Sequence, residues 1–203
     1  MKKIDLYFDV SSPWTYLCYT RLHPLAARLD TEIVYFPILV GGVFNAINQE
    51  VYESRANPNP IKKRYYDKDL KDWARLAGIE MIDPEVFPVR SVEALRGIIA
   101  ANERGKLHEY ATACFAAYWG KDQDISQPQV LDELAVEVGL DPLWLAERRR
   151  SQDIKDRLRA NTEELMARGG FGSPTMFIGD DMYFGNDRLE LVAAALGRIG
   201  ESP

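Results

Sequence analysis

The sequence predicts an α/β fold in which a β-α-β unit and a later α-β-β-α unit enclose a large all-helical insertion. Three observations carry this prediction. Short aromatic and aliphatic runs at residues 4–8 and 32–39 flank a helical pattern, and apolar residues recur at helical spacing from about residue 60 to residue 168. Two further β-like runs, SPTMFIG and MYFG, are separated only by Asp180 and Asp181, which indicates a hairpin of antiparallel neighbours.

The amino-terminal unit begins with a buried strand, IDLYF, which ends in a turn at residues 9–12. A helix follows, because apolar residues share helical spacing at Tyr16, Leu17, Cys18, Leu22, Leu25, Ala26 and Leu29. The second strand is EIVYFPIL. The turn before the helix lies at the carboxyl end of a strand, where α/β folds usually bind ligands.

The insertion is predicted to start with a polar loop over residues 41–60 and to continue as helices. One helix runs from Pro60 to a glycine stop at Gly78. The next begins at a Ser91 cap with Glu93 near the capping-box position, and a later one has Asp141 as its cap and Pro142 in its first turn. Between them lie KLHEYATACFAAYWG and PQVLDELAVEVG, the second with an apolar face of Val130, Leu131, Leu134, Ala135 and Val138.

The carboxyl-terminal unit consists of a helix in SQDIKDRLRANTEELMARGG, the hairpin and a final amphipathic helix, DRLELVAAALGRIG. Without the insertion, this is the order of elements in a thioredoxin-like fold. We therefore assign residues 1–40 and 165–203 to a thioredoxin-like domain and residues 41–164 to a helical insertion domain.

Composition and charge exclude several classes of function. The net charge of −6 argues against nucleic acid or an anionic membrane as the main partner. Asp5 and Asp9 interrupt any signal-peptide core and no apolar run could span a bilayer, so we expect a cytoplasmic protein. The two cysteines, at positions 18 and 114, are far apart and form no redox pair, and with only two histidines, at 23 and 108, the chain offers no metal-ligand cluster.

Three short motifs could carry chemistry. Thioredoxin-like folds usually have C-x-x-C at the first strand-to-helix turn, but here Ser12 and Thr15 put hydroxyls at both thiol positions. Ser12 could donate a hydrogen bond to a thiolate that a ligand brings, or it could simply cap the helix ahead of Pro13. Pro174 stands where such folds have a cis-proline beside the active turn.

The third motif is FGNDRLE, where Asn186 and Asp187 begin the last helix. Helix N-termini bind carboxylates through free backbone N–H groups, although both residues are equally good helix caps.

These motifs carry a resemblance. FDVSSPWTYL, GGVFNAIN, KKRYYDKDLKDWARLAGI, FPVRSVEALRG and FGSPTMFIGDDMYFGNDRLE occur in the order found in the 2-hydroxychromene-2-carboxylate isomerase family. That family is similar to kappa-class glutathione transferases and, more distantly, to disulfide oxidoreductases of the periplasm. The resemblance covers essentially the entire chain, and the S-P-x-[ST]-Y and G-x-P-T…F-G-N-D-R pair is its specific part.

The resemblance implies glutathione as cofactor and a homodimer. It gives Ser12, rather than Ser11, the catalytic position, in which its hydroxyl hydrogen-bonds the glutathione sulfur. It implies contacts to glutathione from Ser173 and Pro174 at the cysteinyl backbone, from Lys62 (with Lys63 as the alternative) at the glycyl carboxylate, and from Asn186, Asp187 and Arg188 at the γ-glutamyl group. The family's Gly-Asn after GGVF is absent, and Asn48 is its best match, with Asn45 as the alternative.

The family's reaction interconverts 2-hydroxychromene-2-carboxylate and trans-o-hydroxybenzylidenepyruvate in aromatic-hydrocarbon breakdown. A thiolate adds to the unsaturated ketone, the bond rotates and the thiolate leaves. Such a substrate is a small aromatic anion, so we expect an apolar pocket with a nearby cation. Candidate side chains, each of which could instead belong to the core, are Trp73, Phe87, Arg90, Tyr118 and Trp119.

Two other functions remain open from the sequence. A kappa-type glutathione transferase or peroxidase would use the same thiolate on other electrophiles and would consume glutathione. A redox-inactive thioredoxin-like binding module would recognise peptide backbone beside Pro174 and would have no affinity for glutathione.

Overall fold

A four-stranded mixed sheet forms the centre of the molecule, for which a computed structural model describes residues 2–198. Across the sheet the strands lie in the order β2 (Thr31–Pro37), β1 (Lys2–Phe8), β3 (Thr175–Ile178) and β4 (Asp181–Phe184). β1 pairs in parallel with β2 and antiparallel with β3. β3 pairs antiparallel with β4, so the predicted thioredoxin-like order is confirmed.

Helices surround this sheet. The first, α1 (Pro13–Arg28), connects β1 to β2, and α9 (Gln152–Ala167) leads into β3. The helices between them are α2 (Val40–Ile47), α3 (Glu50–Ala56), α4 (Pro60–Ala77), α5 (Val92–Ala101), α6 (Leu107–Phe115), α7 (Pro128–Glu137) and α8 (Pro142–Arg148). A π-helical turn, Ala116–Gly120, continues α6. The chain then ends its described part with a 3-10 turn, Asn186–Arg188, and α10 (Leu189–Arg198). Among residues 2–198, no helix has the length and apolar character to cross a membrane.

The structure corrects the prediction of a loop over residues 41–60. This segment contains α2 and α3, because Val40 and Val43 of α2 are buried against the body of the protein. A Cβ at Gly42 would lie 3.6 Å from the Thr162 methyl group, so α2 packs closely on α9. This tertiary packing outweighs the low intrinsic helix propensity of two adjacent glycines.

Two smaller expectations are also corrected. The hairpin turn lies at Gly179 and Asp180, because Asp181 already pairs with Ile178 in β4. Gly179 has a φ of 60°, a conformation that glycine adopts without strain. Ser91 makes no capping hydrogen bond, since it already has a helical conformation and its side chain is buried.

The alternating side chains of β1 join two parts of the core. Ile4, Leu6 and Phe8 pack in one large cluster with residues of the helical segment. Tyr7 packs on the other face with Val43 of α2. The helices and the sheet therefore share packing at the strand that leads into the Ser12 turn. The proposed domain boundary between residues 164 and 165 falls inside α9, and the division into two domains stays a prediction. Ile199 and Gly200 of the predicted last helix lie outside the described residues.

A buried arginine links three helices of the inserted segment. Arg149, which follows α8, is 1% exposed. Its Nη1 donates to Asp132 of α7 at 3.0 Å, and its Nε lies 3.8 Å from the Glu93 carboxylate of α5. Because a buried guanidinium needs compensating charge, these two contacts fix how α5, α7 and α8 meet.

Candidate functional site

Ser12 caps α1 and faces the loop before β3. Its Oγ accepts a hydrogen bond from the Thr15 backbone N–H at 3.3 Å, and Pro13 is the first helical residue, as the sequence predicts. The same hydroxyl donates to the Ser173 carbonyl oxygen at 3.3 Å. Ser12 is only partly buried, so its hydroxyl lies at the helix N-terminus where a ligand could reach it.

Ser173 is held by its side chain, which leaves its backbone beside Ser12. Its Oγ accepts from the Asp9 backbone N–H at 2.9 Å and lies 2.7 Å from the Thr15 hydroxyl. The Ser173–Pro174 peptide bond is cis, which confirms the prediction for this proline. The side chain is therefore occupied within the protein, and the Ser173 carbonyl is the group that it presents to Ser12.

The buried carboxylate of Asp9 holds the turn before Ser12 in place. Asp9 is fully buried, and its two carboxylate oxygens accept from the backbone N–H groups of Ser11 and Val40, each at 2.9 Å. Burial raises the pKa of Asp9, while these N–H donors oppose that shift. The carboxylate thus joins the turn to the start of α2. Asp9 lies two residues before Ser11 in the sequence, but nothing in its sequence context shows that it contacts Val40.

The Asn186–Arg188 turn adjoins the cis-proline. The Gly185 N–H donates to the Pro174 carbonyl oxygen at 3.0 Å. Asn186 is 3% exposed, and Arg21 of α1 donates to its side-chain oxygen at 2.7 Å. Asp187 is exposed and forms an ion pair with Arg188 at 3.1 Å. Of the three residues predicted to bind a γ-glutamyl group, Asp187 and Arg188 are thus the accessible ones.

Asn48 contacts the segment that leads into Ser173. It ends α2, and its Nδ2 donates to the Phe171 carbonyl oxygen at 3.2 Å. Asn45, the alternative, is exposed, and its carbonyl accepts from Gln49 within the same segment. The structure therefore brings Asn48, and not Asn45, against the loop that carries Pro174.

Helix α4 lies across the start of α1. Trp14 donates from Nε1 to the Tyr66 hydroxyl at 2.5 Å, and their rings meet edge to face. Lys62 is one helical turn before Tyr66, so the two share a face of α4. Lys63 is paired with Asp67 at 2.6 Å, whereas Lys62 is exposed and takes part in no ion pair within residues 2–198. Its ammonium is the one available for a carboxylate near α1.

The predicted substrate contacts have mixed environments. Tyr118 and Trp119 are 1% and 2% exposed, and they donate to the backbone carbonyls of Val86 and Val10. The Trp73 ring is covered by the Arg21 guanidinium at 4.5 Å. The remaining two, Phe87 and Arg90, are exposed. The assignment of all five to substrate binding stays a prediction, and the burial of Tyr118 and Trp119 does not favour it.

The sequence of the chain is similar to that of a known protein family. A family model described as DSBA-like thioredoxin domain matches residues 3–197. The chain belongs to this family.

Within the DSBA-like family, the chain is similar to isomerases along nearly its full length. It is 32% identical over 199 residues to the 2-hydroxychromene-2-carboxylate isomerase of Pseudomonas putida, covering 97% of this chain and 95% of that protein. A solved 2-hydroxychromene-2-carboxylate isomerase superposes with a TM-score of 0.83 at 30% identity, covering 97% of this chain and 95% of the other. Human glutathione S-transferase kappa 1 is 27% identical over 219 residues, covering 100% of this chain and 94% of that protein. The predicted resemblance to the 2-hydroxychromene-2-carboxylate isomerase family is thereby confirmed. Because these relatives are enzymes, they support an enzymatic activity for this chain.

Sequence reasoning missed several residues that shape this DSBA-like site. The motif identifies Thr15 only as a hydroxyl in place of a thiol, yet Thr15 contacts Ser173. The sequence does not predict Arg21, Tyr66 and Asp9 as site residues, because their roles depend on partners distant in the chain. The one available signal was the position of Asp9 at the end of a buried strand.

Proposed function

We propose that this protein is a glutathione-dependent isomerase that interconverts 2-hydroxychromene-2-carboxylate and trans-o-hydroxybenzylidenepyruvate. The observation that carries the proposal is the Ser12 hydroxyl, which lies at a helix N-terminus and touches the Ser173 carbonyl beside the cis-proline. The similarity to isomerases over nearly the full chain supports the choice of reaction.

The donor set fits a thiol tripeptide with two terminal carboxylates. The Ser173 carbonyl could accept from a peptide N–H, and Ser12 could donate to sulfur. Lys62 is an unpaired cation within residues 2–198, and Asp187 and Arg188 are an exposed acid and base beside Pro174. These residues, together with Asn48, would hold glutathione.

Bound glutathione would supply a thiolate that adds reversibly to the unsaturated ketone, so that rotation about the former double bond becomes possible. Ser12 would stabilise that negative charge by turning its hydroxyl from the Ser173 carbonyl toward the sulfur. A thiol with a pKa near 8.5 is only a few per cent ionised at neutral pH, and lowering its pKa by two units takes about 2.7 kcal/mol. A charge-assisted hydrogen bond together with the positive end of α1 is of this size.

The test is calorimetric titration of glutathione into the purified protein, followed by an isomerisation assay with trans-o-hydroxybenzylidenepyruvate. Binding together with turnover that leaves glutathione unchanged would support the isomerase. S-Methylglutathione is the control, because it retains the peptide and blocks the thiol. Absence of glutathione binding would refute the proposal in favour of the binding module.

A second candidate is a kappa-type transferase or peroxidase acting on other electrophiles. The full-length similarity to human glutathione S-transferase kappa 1 favours it specifically. Stoichiometric loss of glutathione with a general electrophile would distinguish this activity from isomerisation. Either enzyme would act as a cytoplasmic homodimer on this proposal, which light scattering and cell fractionation would test.

A further inference from the structure

An exposed arginine of α3 lies between two aromatic rings. The Arg55 Cζ is 5.5 Å from the centroid of Phe44 in α2 and 5.6 Å from that of Phe87 in the segment before α5. Arg55 takes part in no ion pair within residues 2–198, and α3 has no buried residue. The guanidinium is thus held by π-faces and keeps its charge and its N–H donors available.

Each ring is connected to the Ser12 site through a neighbouring residue. A Cβ at Gly172, the residue before Ser173, would lie 3.9 Å from the Phe44 ring. Phe87 packs against Trp119 at 6.2 Å between ring centroids, and Trp119 donates to the carbonyl of Val10 in the Ser12 turn. Arg55 therefore lies between Phe44, which is beside the cis-proline loop, and Phe87, which is linked through Trp119 to the turn before Ser12.

The charge of Arg55 also acts on a residue that contacts the start of α1. Burial raises the pKa of Tyr66, and the positive charge of Arg55 opposes that shift, so the two groups are close enough for their charges to interact. The Tyr66 hydroxyl accepts from Trp14, two residues after Ser12. Phe44, Phe87 and Tyr66 thus relate Arg55 to the cis-proline loop, to the turn before Ser12 and to the start of α1, respectively.

We propose that Arg55 binds the carboxylate of the aromatic substrate and so selects anionic substrates over neutral ones. This inference rests on the proposed function for the nature of the substrate. Arginine suits the role because its planar fork can donate two parallel hydrogen bonds to one carboxylate. Arg21 is already engaged by Asn186 and Trp73. Arg90, the cation expected from the sequence, is exposed but has no aromatic ring or carboxylate holding it within the described residues.

The test uses binding of unreactive ligands, so that it does not depend on turnover. Chromone-2-carboxylate and neutral chromone are titrated by calorimetry into wild-type protein in the presence of S-methylglutathione. The same titrations are made with Arg55→Gln, Arg55→Lys and Arg90→Gln. Arg157→Gln is the matched control, because Arg157 of α9 is exposed, takes part in no ion pair within residues 2–198 and makes no aromatic contact there.

We expect Arg55→Gln to weaken binding of the carboxylate roughly tenfold, the effect of losing one charge-assisted contact, without changing the binding of chromone. Arg55→Lys should retain part of the affinity, and Arg157→Gln should bind as wild type. Equal loss of both ligands in Arg55→Gln would reduce Arg55 to packing of the two rings and overturn the proposal. So would wild-type affinity in Arg55→Gln or a larger loss in Arg90→Gln.

The outcome separates this inference from the proposed function. If glutathione binds and isomerisation occurs but Arg55→Gln retains wild-type preference for the carboxylate, only the role of Arg55 fails. If glutathione does not bind, the isomerase fails, and selective loss of chromone-2-carboxylate in Arg55→Gln would still support Arg55 as the carboxylate-binding residue.

Discussion

Replacing Ser12 by alanine tests the proposed activation of the thiol most directly. The Ser12 hydroxyl makes two contacts, accepting from the Thr15 N–H and donating to the Ser173 carbonyl, each at 3.3 Å. Loss of the first removes a helix cap, for which we expect a decrease of about 1 kcal/mol in the free energy of unfolding. Loss of the donor removes a hydrogen bond to a charged sulfur, worth about 1.5–3 kcal/mol.

That second loss predicts a specific change in the bound thiol. At about 1.4 kcal/mol per pKa unit, the pKa of bound glutathione should rise by about one to two units in Ser12→Ala. We expect the isomerisation rate at neutral pH to fall by about three- to twenty-five-fold, because a rise of one to two units lowers the ionised fraction of the thiol by that factor. Affinity for glutathione should weaken only modestly, since its backbone and carboxylate contacts remain.

The measurement is the ultraviolet absorbance of the bound thiolate as a function of pH, with thermal unfolding of the same variant. Ser11→Ala is the control, because Ser11 precedes the helix cap by one residue. If Ser12→Ala binds glutathione with an unchanged thiol pKa, Ser12 is only a cap and the proposed mechanism is wrong.

Three further predictions concern acid stability, the inserted helices and cofactor affinity. Burial lowers the pKa of His23 to about 4 from 6.5, so the unfolded chain takes up this proton at a higher pH than the folded chain. The free energy of unfolding should therefore fall by about 2 kcal/mol, allowing for the partial exposure of His23, as the pH drops from 6.5 to 4. In urea titrations at several pH values, His23→Gln should show a weaker dependence of stability on pH. Arg149→Met should lower the free energy of unfolding by about 1–2 kcal/mol, because it removes a charge-assisted hydrogen bond to the partly exposed Asp132, and stability equal to that of exposed-site Arg150→Met would contradict this. Lys62→Ala should weaken glutathione binding about fivefold by calorimetry, and an equal effect of Lys63→Ala would show that the two lysines were wrongly distinguished.

Local signals explain which elements the sequence predicts well. The start of α4 depends on Asn59 and Pro60, and its end on Gly78 with a φ of 68°. The start of α8 depends on the Asp141 cap, which accepts from Leu143 at 2.9 Å. In each case the two interacting residues lie within a few positions of each other, so the local sequence pattern predicts the interaction.

Segments whose structure depends on distant partners are predicted less well. Helix α2 forms because Gly42 lies against Thr162, which is remote in the chain. At the site, Ser12 and Pro174 are recognisable from motifs, but the capture of Asn186 by Arg21 and the position of Arg55 are not. Their partners come together only when the sheet and the inserted helices have assembled.

The hydrogen bond between Ser12 and Ser173 has a consequence for which sulfur compounds the protein can use. This hydroxyl and carbonyl satisfy each other, so a small thiol without an N–H or O–H donor of its own would leave the carbonyl unpaired when it engages the hydroxyl. A peptide thiol can occupy the carbonyl with its own N–H and release the hydroxyl for the sulfur. On the proposed function, the hydrogen bond between Ser12 and Ser173 therefore discriminates by backbone: ethanethiol carries the same reactive atom as glutathione but has no N–H or O–H donor that could occupy the Ser173 carbonyl and free Ser12.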